Sequence, residues 1–99
     1  MKIQILDKAL GDLIHGFQFH EAREPDLGGY FLDYLFADID SLLIYAGIHP
    51  LVFTHHRCLS KRFPFAIYYD VNGDIARVQA VLDCRRNPSW TRTRLEEKR

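Results

Sequence analysis

The sequence predicts an α+β domain of two layers, a helical hairpin packed on a small, mainly antiparallel sheet. Three observations carry that expectation. Apolar residues between positions 10 and 43 recur at helical spacing. From Phe65 onward the apolar residues are mostly β-branched and aromatic, and Asn72-Gly73 interrupts them as a hairpin signal. A turn-rich stretch at Pro25-Asp26-Leu27-Gly28-Gly29 divides the helical part in two. The expected order over residues 1–99 is β-α-α-β-β-β, with a short C-terminal tail or helix, in a single domain.

Lys2 to Leu6 alternate polar and apolar side chains, a short strand pattern. Asp7 stands where an N-cap is wanted, since its carboxylate can accept from free amides of the next turn. Leu10, Leu13, Ile14 and Phe17 then follow at helical spacing, with Asp12 and Gln18 on the other face. The helix should end near Arg23-Glu24-Pro25, because proline disfavours helix at the residue before it. After the turn, a second helix is expected from about Tyr30 to Ala46. Its apolar set is Phe31, Leu32, Leu35, Phe36, Ile39, Leu42 and Leu43, with Asp33, Asp38 and Asp40 projecting elsewhere. Gly47 is a plausible C-cap.

Ile48 to His56 reads as a loop with a short extended piece at Leu51-Val52-Phe53. Leu59-Ser60-Lys61-Arg62 is a candidate edge strand. Phe65–Val71 and Ile75–Leu82 form the two strands of a hairpin, and Asn72-Gly73 supplies the positive φ that a tight turn needs. Pro88 ends the second strand, and Ser89 can cap a short helix from Trp90 to Lys98.

Ninety-nine residues suit one domain with one core. No run of eighteen apolar residues occurs, so no membrane span is expected. The N-terminus lacks a secretory signal pattern, which makes the cytoplasm the default compartment. Cys58 and Cys84 make neither a disulfide framework nor a zinc site and read as two reduced, partly buried thiols. Of the five histidines, His15 and His20 lie five apart, and His55 and His56 are adjacent. Neither spacing puts two rings on one helix or strand face. No metal and no cofactor is expected.

The formal net charge is zero, but the charge is unevenly spread. Residues 1–50 carry 3 basic and 8 acidic side chains, and residues 84–99 carry 6 basic and 2 acidic. The basic end suits nucleic acid or an acidic protein surface, or is a solvated tail. Arg85, Arg86, Trp90, Arg92 and Arg94 gather there just after a strand. Arginine and tryptophan dominate interface hot spots, so Arg85, Arg86, Trp90 and Arg92 are the candidate target-binding residues. The alternative is structural, with the arginines paired to Asp83 or helix aspartates and Trp90 covering the core. If the strand continues, Arg85 and Arg86 point to opposite faces.

Two segments also carry a family resemblance. They are Phe63-Pro64-Phe65-Ala66-Ile67-Tyr68-Tyr69 and Ala80-Val81-Leu82-Asp83-Cys84-Arg85-Arg86-Asn87-Pro88-Ser89-Trp90. With the Gly28-Gly29-Tyr30-Phe31-Leu32 helix and the Pro50 loop, the chain resembles the RelE/ParE superfamily of bacterial toxins. These belong to type II toxin–antitoxin, or plasmid stabilisation, modules. The resemblance implies the two-layer RelE/ParE-like fold, a cytoplasmic protein and a cognate antitoxin partner with which it forms an oligomer. It also implies one of two targets. One branch cuts messenger RNA in the ribosome; the other poisons DNA gyrase by binding it.

The cutting branch carries lysines and arginines on the sheet and a tyrosine near the C-terminus. Lys61 and Arg62 (with Arg57 near them) and Arg85 are the residues that match as weak catalytic candidates. The central-strand arginine falls near Ala66, and the tyrosine position holds Trp90 or Thr91. An indole is only a donor and cannot act as acid or base. The sequence therefore favours the gyrase-directed, ParE-like class over an enzyme. An mRNA endonuclease, or a non-toxic copy that only binds antitoxin, is the alternative. The helices carry more large apolar residues than one sheet face can cover, so the antitoxin is expected on the side of Tyr30, Tyr34 and Tyr45.

Overall fold

The computed structural model of the chain describes residues 1–97. Five strands form one sheet: β1 (Lys2–Ile5), β2 (Leu51–Val52), β3 (His55–Leu59), β4 (Phe65–Asn72) and β5 (Ile75–Asp83). The order across the sheet is β1-β5-β4-β3-β2. β1 runs parallel to β5, and the other pairs are antiparallel. Helices α1 (Asp7–Arg23) and α2 (Leu27–Asp40) form the hairpin, α3 (Leu42–Tyr45) adds one more turn, and α4 (Pro88–Glu96) closes the chain. The α+β fold expected from the sequence is thus observed, with one more strand in the middle segment.

Several boundaries differ from expectation. Asp7 lies in the first turn of α1; Leu6 occupies the cap position and no side chain caps it. Gly28 and Gly29 are not in a turn but open α2, because Asp26 takes the left-handed conformation (φ 72°) and turns the chain early. Gly28 is there for close approach: a Cβ on it would lie 2.8 Å from the Phe17 carbonyl oxygen. The second helix does not run unbroken to Ala46; it divides at Ser41, whose hydroxyl donates to the Asp38 carbonyl at 2.6 Å. Gly47 follows α3 at φ 98°, the left-handed position after a helix end.

The buried stripe of α1 is Ala9, Leu13, Gly16 and His20, while Leu10 and Ile14 face outward. The difference has a physical cause. His20 is held inside by Nδ1 against the Gly16 carbonyl at 2.6 Å and stacks on Phe31 at 4.4 Å, so a polar residue occupies a core position. Asp38 does not project outward either. It is buried, and its carboxylate accepts from the Ser60 hydroxyl at 2.6 Å and tethers the 60–63 loop. The main core joins these helices to β4 and β5 through Phe31, Leu35, Ile39, Ile67, Tyr69 and Val78.

His55 and His56 lie in β3, and Lys61 and Arg62 lie in the loop after it rather than in an edge strand. β2 and β3 are joined by Phe53-Thr54, both with positive φ (53° and 69°). Bulky and β-branched residues rarely take that conformation. In the β4–β5 hairpin the loop is Gly73-Asp74, one residue later than expected, and Gly73 alone has φ 63°. Opposite Tyr68 and Tyr69, β5 contains an extra residue, Gln79, as a bulge. Beyond it, Ala80 and Leu82 join Ala66 and Tyr68 in a second apolar cluster on the other sheet face, against Leu95 of α4.

Candidate functional site

The end of β5 is shaped by local hydrogen bonds. The Arg86 amide donates to the Asp83 carbonyl at 3.2 Å, turning the chain out of the sheet. Asn87 then caps α4 by accepting from the Ser89 amide at 2.8 Å, with Pro88 at the first helical position. Asn87, not Ser89, is therefore the cap. Lys98, the expected helix end, lies outside the described residues.

This turn decides where the four expected target-binding residues go. Arg85 is clasped by Asp83 through two bonds, Nε to Oδ1 at 2.9 Å and Nη2 to Oδ2 at 2.7 Å. That hydrogen-bonded pair holds the Asp83 carboxyl below its ordinary value. Arg86 lies over the Trp90 ring, 4.2 Å from its centre, and no carboxylate pairs with it among the described residues. Trp90 is 40 % exposed, so it does not cover the core. Arg92 points elsewhere and lies over Phe53 at 5.1 Å. The structure thus joins Arg86 to Trp90, neutralises Arg85 beside them, and separates Arg92.

Arg86 and Trp90 line an open cleft of about 830 Å³ between α1, the end of β5 and α4. Its opposite wall is His15, Gly16 and Phe19 of α1, and its floor includes Phe65, Val81 and Leu82. Phe19 is half-exposed, with Arg23 over its outer face at 5.4 Å. One carboxylate ties the three elements together. Asp12 Oδ2 accepts from the Val81 amide at 3.0 Å and from Arg94 Nη1 at 2.9 Å. Burial pushes the Asp12 carboxyl up, and the Val81 amide and Arg94 oppose that push. Sequence reasoning missed Asp12, His15 and Phe19. Only the tertiary packing of α1 beside the end of β5 brings them there.

The weak catalytic candidates do not meet. Arg62 lies over the rings of Tyr30 and Tyr34 at 5.6 and 5.7 Å. Lys61 borders a second, smaller pocket of about 230 Å³ with Asp38, Ser41, Tyr45, His49, Cys58 and Leu59. Arg85 is bound to Asp83. Ala66, at the position where an arginine would be needed, is fully buried. In that second region the Tyr69 hydroxyl accepts from the Gly47 amide at 2.9 Å and meets His49 Nδ1 at 2.5 Å. Burial, and then the charge of His56, hold His49 below its ordinary value.

Tyr30 and Tyr34 pack together at 4.8 Å on α2, whereas Tyr45 lies on α3, apart from them. All three are substantially exposed. Cys58 is buried, which raises its thiol, but Cys84 is exposed rather than partly buried. Among the described residues no group of three His, Cys, Asp or Glu side chains could hold a metal ion, and no helix is long and apolar enough to cross a membrane.

No protein-family model and no curated protein matches the sequence. A solved structure does match the fold. It is described as "Chromosomal ParDE TA system from P. aeruginosa", and one of its chains superposes with a TM-score of 0.75. The two are 17% identical, and the match covers 82% of this chain and 92% of that one. The ParE-like architecture expected from the sequence is therefore the observed fold.

Proposed function

We propose that the chain is the toxin of a type II toxin–antitoxin, or plasmid stabilisation, pair in the bacterial cytoplasm. It arrests growth by binding a cellular target, DNA gyrase being the first candidate, and a cognate antitoxin neutralises it as part of a mixed oligomer. The observation that carries this reading is the exposed Arg86, without a carboxylate partner among the described residues and stacked on Trp90, presented on a ParE-like fold. That pair has the chemistry of an interface hot spot. Acid–base cleavage of RNA needs several groups in reach of one phosphate. Lys61 instead borders the smaller pocket, Arg62 lies over Tyr30 and Tyr34, and Arg85 is bound to Asp83, which supports binding over ribosome-dependent cleavage.

The test is inducible expression of the wild-type chain and of a triple Arg85→Ala, Arg86→Ala, Trp90→Ala variant at equal protein level. Growth arrest should be lost in the triple variant and kept in Lys2→Ala. The purified protein then goes into a gyrase supercoiling assay and a translating-ribosome assay with a labelled message. Trapped, cleaved DNA complexes support the proposal. Codon-spaced cuts in the message would replace it with the ribonuclease reading. Absence of any growth arrest would leave a copy that only binds antitoxin.

A further inference from the structure

We infer that the chain pairs with a second copy of itself through α3 and the outer edge of β2, with Leu51 of one copy beside Leu51 of the other on a two-fold axis.

Charge is missing from one stretch of the chain. From Ser41 to His56 no Asp, Glu, Lys or Arg occurs, and all 13 basic and 13 acidic side chains lie outside that stretch. Apolar side chains are exposed within it. Leu43, Ile44, Tyr45, Ile48 and Leu51, from α3, the link after it and β2, are each 51–79 % exposed. In a two-fold contact each surface meets its own copy, so every charge near the axis meets a like charge. The acidic first part of the chain and its basic end are therefore poor surfaces for such a contact, and this uncharged patch is a good one. A partner selected by charge would find nothing here to read.

The backbone of β2 fits the same occupant. β2 is the last strand in the sheet, so its outer edge is free. The Arg57 amide donates to the Pro50 carbonyl at 2.9 Å, so Pro50 turns that carbonyl toward β3. Backbone groups alternate sides along a strand, and Leu51 therefore turns both its amide and its carbonyl outward. An antiparallel neighbour exchanges both bonds with one residue. A second copy on a two-fold axis supplies that residue as Leu51 itself. The ladder ends there, because the carbonyls of His49 and Phe53, two residues to either side, are engaged. They accept from His56 Nδ1 at 2.7 Å and from His55 Nδ1 at 3.1 Å.

Two backbone bonds thus set the register, and side chains supply the area. Leu51 pairs across the strands with His56, whose ring stacks on Tyr69 of the main core. Cross-strand partners share a face, so Leu51 lies on the side of the helices. The Tyr69 hydroxyl accepts from the Gly47 amide at 2.9 Å and meets the His49 ring, which fixes the link around Ile48. Little order is then lost on contact. At these exposures the five side chains present roughly 600 Å², against about 800 Å² per partner in an interface of standard size. Such an area makes a reversible dimer, dissociating at about 10–100 µM.

The experiment is sedimentation of the full chain from about 1 to about 500 µM, which brackets that value. The chain should pass from monomer to dimer. On dilution the Leu51 amide should shift in backbone-amide NMR and lose hydrogen-exchange protection. Leu51→Glu and Leu51→Lys set like charges against each other and should each weaken association at least about tenfold. Mixed in equal amounts, the two variants should associate again to within about threefold of the parent chain, since only a two-fold contact places position 51 against itself. Ile44→Ser, at a largely exposed site that the fold does not need, should weaken association about threefold to tenfold. Leu10→Glu, on the exposed side of α1, should change nothing. A chain that stays monomeric throughout overturns the inference and leaves the patch to a partner of another kind. So does a dimer whose Leu51 amide does not respond, one that survives Leu51→Lys, or one that Leu10→Glu dissolves. A mixture of the two charged variants that stays monomeric overturns the two-fold pairing. Sedimentation needs no toxicity, so this inference and the toxin reading succeed or fail separately.

Discussion

Replacing Asp12 by alanine removes one oxygen from two partners at once. The Val81 amide loses its acceptor, and an unsatisfied buried donor costs about 1–3 kcal/mol. The open cleft admits water to that amide, which favours the lower end, about 1 kcal/mol. Arg94 loses its nearer carboxylate. Breaking a fully buried pair costs about 3–5 kcal/mol, but Arg94 keeps Glu97 at 3.6 Å, so about 1–2 kcal/mol is expected. Together Asp12→Ala should lower unfolding stability by about 2–3 kcal/mol in urea titration. Arg94→Ala alone should cost about 1–2 kcal/mol, and the double variant should cost about 1 kcal/mol less than the sum. Asp12→Asn should cost less than Asp12→Ala, because the amide oxygen can still accept from the Val81 amide and from the Arg94 guanidinium. Hydrogen exchange should show α4 loosening before the global transition. A loss below about 0.5 kcal/mol for Asp12→Ala, or strictly additive costs for Asp12 and Arg94, would refute the clasp.

The remaining predictions concern other parts of the chain. The joint change Phe53→Asn with Thr54→Gly fits both positive-φ positions and should stabilise the protein by about 1–2 kcal/mol, read as a raised urea midpoint. Gly28→Ala drives a methyl against the Phe17 carbonyl and should cost about 1–3 kcal/mol by the same assay. His49 has a folded value below its ordinary 6.5, so the folded state binds its proton less well than the unfolded chain. Its contribution is complete above that value and is lost as pH falls through the lower folded value. His49→Gln removes the titrating group and should flatten stability against pH in that window; an unchanged profile would count against the assignment.

The hairpin of β4 and β5 was legible because its residue types and its Asn72-Gly73 signal act locally. Other elements hid behind tertiary context. Gly16 and His20 do not look like core residues, yet one admits the Phe31 ring and the other stacks on it. Apolar periodicity therefore pointed to Leu10 and Ile14, one step around the helix. Asp38 was read as a surface charge because nothing in the sequence marks Ser60 as its partner, 22 residues away. The β2–β3 turn carries no Asn or Gly, so the extended piece at Leu51-Val52 was visible but its pairing with the next strand was not. Of the site, Arg86 and Trp90 were visible as neighbours in sequence. The cleft they border was not, because its walls come from residues about seventy positions apart.

The single extra residue at Gln79 sets the reading frame of the sheet. Before it, Ala76 and Val78 face the helical hairpin; after it, Val81 does, while Ala80 and Leu82 face α4. Deleting Gln79 would leave the sides as they are, but flattening the bulge, with Gln79 in a regular place opposite Tyr68, would exchange them from that point on. Leu82 would turn toward the hairpin, and Val81 would present its amide to Tyr68's strand instead of to Asp12. One inserted position thus acts as a parity change, and the cleft exists on only one of the two parities.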